Sequence, residues 1–138
     1  MKSSLLAGLG VGLATGTWMF AEYALGLHDD PAGAGRWTGF LSLVFPVLGA
    51  YWLVTRSALR PWPAALRAGL VFGAAGGVVG GAAIYLYCAV VNPGFSIGGR
   101  TSHAGEQALV GLVGALVLGT VLTLLLSLVF GRKGAGHV

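Results

Sequence analysis

Residues 68–91 read AGLVFGAAGGVVGGAAIYLYCAVV, an apolar run without a single charged side chain. It meets the requirement of about 20 apolar residues for a helix that crosses a bilayer. Within it Gly69, Gly73, Gly77 and Gly81 recur at every fourth position, with Gly76 and Gly80 beside them. That step places them along one stripe of an α-helix. Each glycine costs about 1 kcal/mol of helix propensity in water relative to alanine, so the stripe is tolerable only where close backbone contact compensates. The run predicts a membrane-type helix with a neighbour pressed against its small residues.

Working outward, three more stretches satisfy the same length rule: 3–27, 37–54 and 107–130. The 138 residues are 56% hydrophobic and 9% charged, against about 25% charged in ordinary soluble domains. With most of the chain inside apolar runs, no room remains for a soluble domain. The expectation is one all-α domain over 1–138, an integral membrane four-helix bundle. The first run starts just after Lys2, as a signal peptide would, but its apolar part outruns the usual 7 to 15 residues and no small-x-small site follows. It reads as a retained helix, with Gly8, Gly12 and Gly16 forming its own packing stripe. The second run contains Pro46, which removes the bond to the Ser42 carbonyl and predicts a kink.

The basic residues form no cluster of the kind that binds nucleic acid; they are dealt out between the apolar runs, where they set topology. Lys2, Arg56, Arg60, Arg67, Arg132 and Lys133 fall on one side, Arg36 and Arg100 on the other. That asymmetry predicts both termini in the cytoplasm, with the lipid bilayer as the main partner. The lone Cys88 lies in an apolar run and reads as a small packing residue.

One acidic side chain breaks the pattern. Glu22 sits in Thr15–Pro31, TGTWMFAEYALGLHDDP, where an apolar run ends and His28, Asp29 and Asp30 follow. An ionised carboxylate well inside hydrocarbon costs roughly 2.5 to 3.5 kcal/mol on insertion scales, so Glu22 needs a partner, a proton or water. Arg36, Arg100, Tyr85 and Tyr87 are the candidate partners for an interhelical bond. His28, Asp29 and Asp30 are expected to end the helix in water. Together with Glu22, His103 and Glu106 they could compose a metal or proton site, but no HExxH pattern or cysteine pair fixes a metal-ligand spacing, and no metal or other cofactor is expected. Neither a nucleophile arrangement nor a phosphate-binding loop is present in the pattern, which points away from an enzyme.

Trp18, Glu22, Gly26, Leu27, His28 and Asp29, within WMFAEYALGLHD, together with the fourth run QALVGLVGALVLGTVLTLLLSLVF followed by Arg132 and Lys133, resemble the bacterial domain-of-unknown-function family numbered forty-one ninety-nine. The resemblance implies a four-helix inner-membrane protein of unassigned activity. The second outer loop is shorter here than relatives often carry. Two functional expectations stand. In the first, a non-catalytic bundle serves as a helix-packing or accessory subunit, in a homo-oligomer or a larger membrane complex. In the second, a small ion or proton channel or transporter uses Glu22 at an outer vestibule, with His28 and Asp29 beside it.

Overall fold

A computed structural model of the chain describes residues 1–29, 34–57, 59, 62–93 and 103–131. Five α-helices follow in order: α1 (Lys2–Ala24), α2 (Ala34–Leu41), α3 (Val44–Arg56), α4 (Trp62–Leu86) and α5 (Ala104–Phe130). A 3₁₀ turn, Leu27–Asp29, follows α1, and a π-helical turn, Tyr87–Val91, extends α4. Counting α2 with α3, and α4 with its π turn, four helical units are long and apolar enough to cross a membrane. The α4 unit begins at Trp62 rather than near residue 68, so Arg67 belongs to the helix and not to the connection before it. Pro63 does not oppose this, because the first helical turn has no internal partner for its missing N–H.

The expected kink lies upstream of Pro46. Helix is interrupted at Ser42 and Leu43, and Pro46 falls in the first turn of α3, where its missing N–H costs nothing. The Ser42 carbonyl that Pro46 cannot bond accepts instead from the Phe45 N–H at 3.3 Å, a tighter turn. The Ser42 hydroxyl donates to the Gly39 carbonyl at 2.6 Å.

The helices stand in a ring: α4 packs most extensively on α5 and next on α1, while α3 closes the circuit between α1 and α5 and barely touches α4. Small residues set both α4 seams. On the parallel α1 seam, a Cβ at Gly12 would lie 2.7 Å from the Gly76 carbonyl oxygen, and one at Gly16 2.8 Å from the Ala83 Cβ. Gly8 is likewise in backbone contact with α4, at Phe72. On the antiparallel α5 seam, Gly69, Gly73, Gly77 and Gly81 meet the backbone at Thr120, Ala115 and Leu116, Leu112 and Ala108 in turn. Real Cβ atoms do not approach backbone this closely, so the stripe permits the contact.

Towards the end of the bundle that holds Lys2, Arg56 and Trp62, the core is apolar: Ala50, Leu53, Val54, Leu59, Ala65, Ala68 and Phe72 are buried together. Two hydroxyls buried in α5 bond their own helix, Thr123 to the Gly119 carbonyl and Ser127 to that of Leu124, each at 2.7 Å. Neither needs a partner across the bundle.

Candidate functional site

The opposite end of the bundle carries the acidic side chains and the histidines among the described residues. The last N–H groups after α1 are bonded as Leu25 to the Ala21 carbonyl (3.0 Å) and Gly26 to that of Tyr23 (2.9 Å). Gly26 has φ of 72°, the left-handed conformation that terminates a helix without a Cβ penalty. The chain therefore reverses, and the 3₁₀ turn that follows lays His28 back on the final turn of α1. Its Nε2 lies 3.7 Å from Glu22 Oε2, with the two side chains only 11% and 8% exposed. His28 is thus not the solvated helix end that the sequence predicts. Burial is favoured because the imidazole stands edge-on to the Tyr87 ring, at 5.3 Å between centroids, while it faces the carboxylate.

Tyr87 is the hub. It is completely buried at the start of the π turn, and its ring meets those of Phe20 and Tyr23 edge-on, each at 5.7 Å. Its hydroxyl makes a short hydrogen bond with His28 Nδ1 and accepts another from Asn92 Nδ2 at 3.2 Å. Asn92 reaches it because the turn is wide: the Asn92 N–H bonds the Tyr87 carbonyl, five residues back, at 2.8 Å. Since an amide nitrogen can only donate, the phenolic proton is available to His28 Nδ1. In the tautomer that accepts it, the imidazole N–H is on Nε2, the nitrogen facing Glu22.

The result is a chain of polar groups, Asn92 to Tyr87 to His28 to Glu22, drawn from α1, its 3₁₀ turn and the end of α4. It is incomplete at one atom. Glu22 Oε1 is buried and has no hydrogen-bond partner among the described residues. At 3.7 Å the contact to His28 is an electrostatic one, longer than a hydrogen bond, so the carboxylate keeps acceptor capacity in a dry setting. Such a pair can hold a proton between carboxylate and imidazole, or offer one oxygen to a small cation. Among the described residues no group of three or more His, Cys, Asp or Glu could hold a metal ion.

Beside this chain, Cys88 Sγ donates to Gln107 Oε1 at 3.8 Å, joining the π turn to the first turn of α5. Of the other residues singled out in the sequence, Tyr85 is half-exposed and takes no part, and His103 is exposed as the residue that precedes α5. Glu106 is exposed in the first turn of that helix. Arg100, Asp30 and the side chains of Asp29 and Arg36 lie outside the described residues. The sequence places His28 beside Glu22 in one candidate polar site but gives no direct contact between them, and the role of Gln107 has no signal there. A signal for the first exists: glycine directly after an apolar run, with histidine two positions on, is a helix stop that can fold a side chain backwards. Nothing in the sequence marks the π turn.

Among the described residues, besides Tyr87 and Cys88, the buried polar side chains are Ser4, Glu22, Gln107, Thr123 and Ser127, of which Glu22 and Gln107 are at this end. Between them and the opposite rim run the glycine seams and the apolar core. No family model, no curated protein and no solved structure matches the chain.

Proposed function

We propose that this is a multi-pass protein of a bacterial inner membrane with both termini cytoplasmic, acting as a non-catalytic helix-packing or accessory subunit. The observation that carries this reading is the use made of α4. Both of its seams are built on backbone contact, and the polar cluster at its end is closed beneath by apolar packing instead of opening on a path. Intramembrane carboxylates that serve transport line water-filled routes; here Glu22 is tied to a histidine from its own helix end and supports the closure of the bundle. The six-to-two distribution of Lys and Arg supports the orientation. The resemblance of WMFAEYALGLHD to the family of unassigned activity is the ground for the bacterial inner membrane in this reading.

A second reading has one specific observation in its favour, the unpartnered Glu22 Oε1. A carboxylate oxygen left without a donor can take a proton or a cation, as a channel or transporter would require. Flux into liposomes separates the two. Purified protein should pass neither protons nor common monovalent cations, for wild type and Glu22→Gln alike, and should co-purify with membrane partners from gently solubilised membranes. Flux that the wild type supports and Glu22→Gln abolishes would replace the accessory role with transport.

A further inference from the structure

Where α3 packs on α1, the outer face of the bundle is indented. A groove of about 300 Å³ runs along the outer face there, lined by Leu6, Gly10 and Ala14 on α1 and by Phe45, Leu48 and Trp52 on α3. It is apolar, and its floor is low because a Cβ at Gly10 would meet nothing within 4 Å. From Leu6 to Ala14 it extends roughly 12 Å along the helix axis, at about 1.5 Å per residue. One hydrocarbon leaflet is about 15 Å deep. The groove thus fits a single chain in a single leaflet.

Its mouth is basic. Trp52 lies at the end nearest Leu6, and the Arg56 guanidinium stands 5.8 Å from the Trp52 ring centroid. Lys2 opens α1 one turn before Leu6 and is exposed. Of the four acidic side chains in the sequence, Glu22, Asp29, Asp30 and Glu106, the described ones stand at the far end, in the last turns of α1, the 3₁₀ turn after it and the start of α5. Among the described residues no carboxylate faces Arg56 or Lys2, so the rim offers its charge to an anion from outside the protein.

We propose that this groove is a binding site for an anionic phospholipid, with one acyl chain laid over Gly10 between α1 and α3 and the phosphate headgroup held by Arg56 and Lys2. The site rests on the membrane reading given above. Trp52 occupies the level where indole rings sit in membranes, between the apolar groove and the charged rim. Within a bilayer the occupant gains from contact with the groove floor, and its headgroup from charge complementarity with two cations that face no carboxylate among the described residues.

The test is electron paramagnetic resonance of spin-labelled lipids with the full chain reconstituted in phosphatidylcholine vesicles, after flotation in carbonate confirms insertion. Spin-labelled phosphatidylglycerol should show a motionally restricted component, with an association constant about fivefold above that of spin-labelled phosphatidylcholine. Gly10→Leu, whose side chain enters open space, should remove that component while helicity is kept and melting does not fall. Arg56→Gln should bring the two lipids to equal association. Equal restriction of both lipids by the wild type, or no change in Gly10→Leu, would overturn the site while leaving the membrane reading intact. A dimer that Gly10→Leu dissociates, without any restricted lipid, would assign the groove to a second copy and overturn it too. Failure to float after carbonate would sink the membrane reading and this site together.

Discussion

The two ends of α4 solve the problem of burial by different means. From Gly69 to Gly81 the helix is held by absence: side chains are missing, and the backbones of α1 and α5 come close enough to replace them. At Tyr87 it is held by presence, a bulky ring with a hydroxyl shared between His28 and Asn92. The first arrangement tolerates no added atom, and the second tolerates no lost one. A seam of the first kind resists insertion, whereas a cluster of the second kind depends on every bond being made.

Substitutions can pull these two regimes apart. The largest effect is expected from Gly77→Leu, since a Cβ there would already lie 2.8 Å from the Leu112 carbonyl oxygen. Wedging a branched side chain against backbone should cost about 3 kcal/mol or more, read as collapse of the thermal transition in detergent; unchanged melting would mean that α4 and α5 are not in contact. Next comes Tyr87→Phe, which keeps the ring and deletes the hydroxyl that His28 and Asn92 both bond. A loss of about 1–3 kcal/mol follows from stranding buried polar atoms, and a histidine ring signal that does not move on substitution would remove Tyr87 from its place as hub. Gly26→Ala should cost about 1 kcal/mol, because alanine resists the left-handed turn that returns His28 to Glu22. Smallest, and of opposite sign, is Gly80→Ala. Nothing lies within 4 Å of its Cβ, so helix propensity acts alone and the variant should melt higher, by about 0.5–1 kcal/mol of stability. A destabilised Gly80→Ala would show that the outer face of α4 is covered.

The seam was legible in the sequence for a physical reason. A period of four along an apolar run has one geometric meaning, and Gly69, Gly73, Gly77 and Gly81 carry it without help from the rest of the chain. The break in the second span was legible in cause, but its position shifted to Ser42 and Leu43, because proline acts on the carbonyl before it and is itself welcome in a first turn. The polar cluster was only half legible. That Glu22 needs a partner follows from burial cost, and Tyr87 was among the candidates. That the direct partner is His28 depends on a left-handed glycine that turns the chain by an angle no periodicity records. Long-range pairing of this kind arises from where the backbone goes after a helix stops, which composition does not encode.

The wide turn after α4 places a demand on chain length as well as on residue identity. It spends one residue more than an ordinary turn before the Asn92 N–H finds its acceptor on Tyr87. Adding a residue within 88–91 would overfill that turn and rotate everything downstream by about 100° about the axis, carrying the Asn92 amide off the phenol. Point changes in Ala89 or Val90, both exposed, leave that phase untouched. This segment can therefore drift in spelling while remaining intolerant of a further residue.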